Sequence, residues 1–512
     1  MRKVIYAAVF VILYGMLFSL PVSAADQDYT INGSEHVTVP QVYVYSSGID
    51  KIASDSLEGS AYLEQPQALM IGKDGNLYIA DTGNSRVVKV TTEGMLLMSY
   101  ESAGGLAFKE PKGVYACEDG SLYISDTGNG RIVHVDAAGN LIREYGLPKD
   151  SALSDITVYA PAKAAPSPSG GLYVLLGENI MSIDENNVFQ GFIGQTDVGF
   201  SFTDWLLRIV ASESQKKSIA KRTASNYISF CVDDEGIIYA TSYDGDEGEI
   251  KALNSVGINI YRKYGSIDGN PNVFTNMFYR FFSGNIIGKS FRFGEVSGGQ
   301  GPTLNGITVD KDGIVTVIEK ENGMLYQYDK SGNLLAVFGG LGSTKGKFSI
   351  PVDLTVDSEG NLYVLDSGYG NIQVLAPTEF MKNVQAATKA YNDGDYSKAA
   401  TLWREVEKTD SLYPLAHYGI GMTEYKSGNY KAAMEEFSYS NNRVEYSKAF
   451  QKYRYEFLQQ YFVPVLVAAV ILTVILILAL LALHRKSKVI LKGFEYCDIT
   501  RLNVKHGLWL FA

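Results

Sequence analysis

The sequence predicts an all-β propeller of six blades, followed by a small α-helical repeat domain and one transmembrane helix. Three observations predict it. A phrase on the pattern acidic–Gly–x–Leu/Ile–Tyr–Val/Ile recurs in six copies. Its uninterrupted period is about 45 residues, which suits one four-stranded blade. A second, 34-residue repeat follows it, and an uncharged run of 22 residues follows that.

The six copies are "KDGNLYIAD" (73–81), "EDGSLYISD" (118–126), "SGGLYVLL" (169–176), "DEGIIYATS" (234–242), "KDGIVTVIE" (311–319) and "SEGNLYVLD" (358–366). Each has the same parts. An opening strand comes first, such as "PQALMIG", "PKGVYAC", "LNGITVD" or "PVDLTVD". A tight turn follows, in which Gly takes a positive φ without steric cost. Then come an alternating strand, a polar turn, a third strand ("RVVKV", "RIVHV", "MLYQY", "NIQVL") and a fourth ("LIREYG", "LLAVFGG"). The last copy ends on its third strand near Ala376. The alternating "HVTVPQVYVY" (36–45) is expected to supply the missing strand and close the ring, which removes free sheet edges.

Composition agrees. The chain has 512 residues, with 35 Tyr, 51 Gly and 23 Phe but 14 Pro, a mixture suited to strands and turns. Between 36 and 380 there are 26 basic and 41 acidic residues, so the propeller carries about −15 and excludes a general nucleic-acid surface. Cys117, Cys231 and Cys497 form no short-spaced pair, so a zinc ribbon or redox CxxC is excluded; Cys117 and Cys231 read as buried free thiols.

The run "P-x-G-V/I-x-V-D-x-D-G-x-L-Y-V-x-D-x-x-N-x-R-I-x-V" resembles the NHL repeat, most closely at 65–146, well at 304–376 and weakly at 155–265. That resemblance implies a six-bladed propeller. It leaves function open, because such propellers include metal-dependent lactone hydrolases, a peptide-amidating lyase, RNA-binding domains and extracellular sensors or scaffolds.

The repeated "DTGN" turn has two readings. Asp81, Asn84, Asp126 and Asn129 offer carboxylate and amide oxygens, which suit calcium. Alternatively the acids accept backbone N–H groups across the turn while Arg86 and Arg131 pair with an acid of the same or the next blade. Because each turn stays within its own blade, the structural reading is preferred, and no cofactor or metal ligand is assigned. A lyase-type zinc site needs about three His, and the propeller has only His36 and His134. A lactonase-type site needs an axial Glu, Asn and Asp, and the sequence singles out no such trio. No Ser-His-Asp set or phosphate loop stands out. The chain therefore reads as a binding protein rather than an enzyme, with a metal-dependent lactonase-like hydrolase as the alternative.

Two insertions interrupt the blades, at 195–226 and 266–303 within the propeller at 36–380. The first has a helical pattern with Trp205. The second is dense in aromatics and arginine. Trp205, Phe278, Tyr279, Arg280, Phe281, Phe282, Phe291 and Arg292 are the candidate partner-binding residues, since aromatics and Arg are enriched at interfaces. Packing onto the ring and docking on the outer leaflet are the competing readings.

Residues 384–442 resemble tetratricopeptide repeats: "YNDGDYSKAATLW" (391–403) and "YKSGNYKAAMEEF" (425–437) align, with Gly421 as the small residue of the second pair. Residues 443–461 should run as a juxtamembrane helix into Phe462–Leu483, which at 1.5 Å per residue spans about 33 Å. The N-terminus (1–24) reads as a secretory signal, with Arg2 and Lys3 before an apolar stretch and a small-residue cleavage site. "HRKSK" at 484–488 marks the cytoplasmic side. The expected localisation is a bacterial cell membrane: single-pass, N-terminal domains outside, and a short cytoplasmic tail (484–512) that reads as truncated. The order of segments is similar to that of bacterial proteins linked to carbohydrate ABC transporters. The partners this implies are a protein or cell-surface glycan, with a membrane transporter complex nearby and no nucleic acid.

Overall fold

The computed structural model describes residues 27–32, 35–53, 62–150, 153–154, 156–194, 226–244, 247–255, 257–260 and 303–495. It is a six-bladed β-propeller, with five helices after the last blade. Strands are labelled a to d from the axis outward.

Blade one is β4 (Ala68–Ile71), β5 (Leu77–Asp81), β6 (Arg86–Val90) and β7 (Leu96–Tyr100), and the short hairpin β8 (Ser102–Ala103) and β9 (Leu106–Ala107) leads on to blade two. Blade two is β10 (Gly113–Ala116), β11 (Leu122–Asp126), β12 (Arg131–Val135) and β13 (Leu141–Tyr145). Blade three is β14 (Pro161–Pro166), β15 (Leu172–Leu176), β16 (Asn179–Ile183) and β17 (Phe189–Phe192). Blade four contributes three described strands, β18 (Asn226–Val232), β19 (Ile238–Asp244) and β20 (Glu247–Leu253). Blade five is β21 (Leu304–Val309), β22 (Val315–Glu319), β23 (Met324–Tyr328) and β24 (Leu334–Gly339). Blade six is β25 (Pro351–Val356), β26 (Leu362–Asp366) and β27 (Asn371–Pro377), completed by an N-terminal strand.

Local chemistry explains the repetition. The turn glycine between strands a and b has φ of +76 (Gly75), +82 (Gly120), +91 (Gly170), +81 (Gly236), +79 (Gly313) and +85 (Gly360). A non-glycine residue resists this conformation. Asp233, Asp310 and Asp357 each hold such a turn, one carboxylate oxygen accepting the N–H groups two and four residues on. Asp136, Asp184 and Asp329 do the same between strands c and d. One Asp-capped turn thus serves both the a–b and the c–d hairpins.

The N-terminus closes the ring through β3 (Tyr43–Ile49), antiparallel to β27 with Leu375 opposite Tyr45. This corrects the expected 36–45. Pro40 lacks an N–H and divides that run. Its first part, β2 (Glu35–Thr38), instead folds against β1 (Tyr29–Asn32), and this hairpin extends the outer edge of blade five.

The first insertion ends earlier than expected, because Asn226 already pairs with Tyr243 in blade four. Thr303 likewise belongs to blade five, where its carbonyl accepts the Lys320 N–H. The blades bury Leu, Ile and Val between successive sheets, and Leu77, Ile79, Val88, Leu122, Ile124 and Val133 are wholly enclosed. Cys117 and Cys231 are free thiols.

The chain forms two compact units. One runs to Thr423 and takes in Tyr439–Asn441; the other holds Glu424–Ser438 and the chain from Asn442 onward. In the first, helices α1 (Glu379–Asn392) and α2 (Tyr396–Thr409) and the start of α3 (Pro414–Lys426) share a core with blades five and six. Tyr413 donates from its hydroxyl to the Leu335 carbonyl at 2.8 Å, and Lys389 pairs with Asp312 on the a–b turn of blade five. These helices therefore cover the a–b-turn end of those blades. α3 presses closely on Trp403: a Cβ on Gly419 would lie 2.2 Å from the indole nitrogen, and Gly421, the small residue expected from the spacing, is buried on the same helix. In the second unit, α4 (Tyr430–Tyr439) precedes α5 (Arg443–Glu495), one continuous helix through the expected juxtamembrane and membrane segments. Its 443–488 stretch has a peak mean hydropathy of 3.3 and is long and apolar enough to cross a membrane.

Candidate functional site

The b–c turn is fully engaged in holding blades together. Asp81 accepts the Glu64 N–H on one oxygen (2.8 Å), and Asn84 Nδ2 (2.9 Å) and Arg86 Nε (2.8 Å) on the other. Thr82 donates to the Pro111 carbonyl of blade two (2.7 Å). Asp126 repeats the arrangement with Lys109, Asn129 and Arg131, and Thr127 reaches Pro161 of blade three. Asn84 and Asn129 also donate to the carbonyls of Tyr62 and Ala107. Each Asp thus ties its own blade's incoming link, while the neighbouring Thr ties the next blade. The carboxylates are wholly enclosed, and their oxygens are occupied by backbone and arginine donors. Asp366 follows suit in blade six with only backbone N–H donors, from Ser349, Ile350, Gly368 and Tyr369.

The axis is different. The six a strands pack on one another in a closed ring. The equivalent position near the start of each a strand is Ala68, Gly113, Lys163, Ser229, Gly306 and Asp353, opposite Ala80, Ser125, Leu175 and Thr241 and, for Asp353, Leu365 on the b strands. Four of these are small, because neighbouring strands leave no room. A Cβ on Gly113 would sit 2.5 Å from the Ala162 carbonyl oxygen, and one on Gly306 would sit 2.8 Å from Asp353 Cα. The other two, on opposite blades, are charged.

Lys163 Nζ stands 3.7 Å from Asp353 Oδ2 and 3.5 Å from Ser229 Oγ. Asp353 Oδ2 accepts the Leu69 N–H at 3.1 Å. Asp353 Oδ1 is buried with no hydrogen-bond partner, and so is Ser125 Oγ. Asp353 is 4% exposed. Burial pushes its carboxyl up, against the pull of Lys163 and the Leu69 N–H. Burial also pushes the Cys231 thiol, two residues beyond Ser229, up to about 12.

The pair sits at the b–c-turn end of the strands, since Asp353 lies opposite Leu365, next to the turn residue Asp366. The chain leaves blade three after Phe192 and returns at Asn226, and Leu304 opens blade five. Both links re-enter three and two residues before Ser229 and Gly306, between Lys163 and Asp353 around the ring. At the opposite mouth Lys73 Nζ meets Asp234 (3.0 Å) from the a–b turn of blade four across the axis and Glu118 (3.9 Å) from that of the adjacent blade two.

The sequence-derived partner residues Trp205, Phe278, Tyr279, Arg280, Phe281, Phe282, Phe291 and Arg292 lie outside the described residues. Lys163 and Asp353 were missed. The signal that finds them is the alignment of all six a strands, including the divergent "PAKAAP" and "YISFCV". His134 stacks on Tyr123 at 4.1 Å with Nε2 3.0 Å from Ser121, so its ring is held on the sheet.

Among the described residues, the axis does not offer the ligands of a lactonase-type calcium. Calcium takes six to eight oxygens. The described axial set supplies one carboxylate with an ammonium beside it.

No protein-family model matches the chain, and no curated protein matches it. Solved structures do share its shape. A catalytically inactive virginiamycin B lyase from Staphylococcus aureus with quinupristin has a TM-score of 0.38 at 12% identity, covering 69% of this chain and 96% of that one. A gluconolactonase from Xanthomonas campestris has a TM-score of 0.37 at 11% identity, covering 62% and 88%. The extracellular domain described as part of a hybrid two-component system from B. thetaiotaomicron has a TM-score of 0.36 at 13% identity, covering 67% and 36%. At these values the likeness is to propellers as a shape and carries nothing about activity.

Proposed function

We propose that the chain is a membrane-anchored extracytoplasmic binding protein of the NHL type, whose propeller takes a partner at the b–c-turn mouth of its axis. The observation that carries this reading is the contrast in valence around the ring. Every Asp of the repeated turns is satisfied, whereas Asp353 Oδ1 and a loosely held Lys163 ammonium remain at the mouth where both insertions join. Buried polar atoms without partners are costly, and this one belongs to a charged group beside a second charge. The tether is α5, whose apolar run ends at the basic 484–488, which the positive-inside rule puts in the cytoplasm. In this reading the tetratricopeptide-like helices are a spacer or short docking module, and the protein serves a membrane complex such as a transporter.

The test is photo-crosslinking of the full-length chain in its native membranes. A photoreactive residue at position 163 should give one defined adduct, lost when residues 270–295 are deleted. A photoreactive residue at position 73, at the other mouth, should give none. Adducts from 73 in place of 163 would refute the reading.

A further inference from the structure

We propose that the helices after blade six are the strap of the ring: α1 holds the closing strand β3 in place, and the seam opens only after α1 has lifted. The proposal goes beyond the reading of the partner face and does not depend on it.

The seam is weak by itself. β3 is the outermost strand of blade six, and among the described residues it pairs with β27 alone. Only its two ends, Tyr43 and Ile49, are buried, while Val44, Ser46, Ser47 and Gly48 are exposed. A strand with so little buried surface opens readily unless its ends are held. The far end is held by blade one. Ile49 joins the core between blades six and one, and Ala53 beyond it bridges to Met95.

The near end is held by α1. Its N-cap Thr378 donates its N–H to the Val42 carbonyl at 2.9 Å and its hydroxyl to the Gln41 carbonyl at 2.8 Å. The same hydroxyl accepts the Met381 N–H, so one residue both starts the helix and grips the chain entering the strand. Two turns on, Gln385 Nε2 donates to the Tyr43 hydroxyl at 3.1 Å and to Gln327 Oε1 at 3.2 Å. Gln327 Nε2, from blade five, donates to that hydroxyl as well, at 3.0 Å. This network is complete only when α1, β3 and blade five meet. Tyr43 also stacks on Phe338 with ring centroids 4.7 Å apart, and Val42 and Tyr43 share one core with Phe380, Met381 and Val384 of α1.

The helices have their own footing. Lys389 pairs with Asp312 and Tyr413 donates to the Leu335 carbonyl, both on blade five. The strap thus crosses from blade five to the seam of blade six. The two partners are not equivalent. β3 cannot leave without breaking the bonds to Thr378 and Gln385 and uncovering the apolar face of α1. Lifting α1 leaves the ladder between β3 and β27 intact. The order of opening follows from that asymmetry.

The test is native-state hydrogen exchange of the full-length chain in nanodiscs, read by mass spectrometry at rising denaturant. Peptides covering 379–392 should open at or below the denaturant concentration that opens those covering 43–49, a comparison that needs no variant. The double variant Thr378→Val with Gln385→Leu should speed exchange across 43–49 about tenfold or more, the worth of the hydrogen bonds removed. Exchange across 122–135 in blade two should stay that of the parent. Exchange across 43–49 while 379–392 is still protected would overturn the proposal. So would parental exchange across 43–49 in the double variant.

Discussion

The b–c turns and the axis occupy the same end of the same blades, yet they treat their charges in opposite ways. Asp81 and Asp126 are wholly buried and each takes three donors, including an arginine within 2.8 Å. Asp353 is equally enclosed, but its cation stands 3.7 Å off and one oxygen has no partner. A charge in the first setting belongs to the scaffold. A charge in the second is held at a cost for something else. Repetition in sequence therefore tracks structure here, and the departures from repetition mark the candidate site.

The largest expected effect lies in the repeated turn. Arg131→Ala leaves Asp126 buried and unpaired and also frees Glu144, so it should cost about 3–5 kcal/mol, seen as an early chemical-denaturation midpoint. A midpoint within error of the parent would mean the turn is not what joins the blades. Gly306→Val comes next. Its side chain must displace Asp353 and the Val352 carbonyl, and overpacking of this kind costs about 1–3 kcal/mol. It should also abolish any adduct at position 163.

A third effect is a pH dependence from carboxyls of the same ring. Burial pushes Asp28 and Asp310 up to about 6 from 3.8. Between those values the folded chain holds protons that the unfolded chain has released. Stability from this source is therefore full below about 4 and falls as pH rises through 6. Asp28 accepts the Val42 N–H just before the closing strand β3, so Asp28→Asn should remove part of that slope. Asp74 works in the other direction. The hydrogen bonds from Lys89, Asn76 and Tyr78 outweigh its desolvation and hold it at about 2, so its contribution is present above 3.8 and fades only as pH falls through 2. Stability that rises steadily from pH 4 to 7 would contradict this assignment. The smallest effect is chemical: burial raises the Cys117 and Cys231 thiols, so both should react slowly with a thiol-disulfide reagent at pH 8 until the chain is unfolded.

The propeller was legible because its turns are written in residues with a mechanism. A Gly after an acidic residue or Ser takes a positive φ in each a–b turn, and six such turns count six blades. The closing strand was legible in kind but displaced, because a Pro at position 40 splits an alternating run that otherwise reads as one strand. The axial pair was not legible locally. Lys163 sits in "PAKAAP", where nothing marks it, and Asp353 sits in "PVDLTV", where it reads as one more acid. Their meaning is a property of the ring, which sets Lys163 beside a residue 190 positions away. Trp403 and Gly419 teach the same lesson in the helices, since the spacing marks Gly421 and only packing shows that the indole meets Gly419.

The most direct measurement compares Asp81→Asn with Asp353→Asn in the full-length chain, by denaturant midpoint in the same membrane mimic. The account predicts that Asp81→Asn, which removes the buried carboxylate that Arg86 pairs with at 2.8 Å, loses about 3–5 kcal/mol. It predicts that Asp353→Asn, which removes a poorly paired buried charge, changes stability by less than about 1 kcal/mol while losing the adduct at position 163. Equal destabilisation by the two substitutions, with the adduct kept in Asp353→Asn, would make the axial pair one more strut of the scaffold and contradict the account.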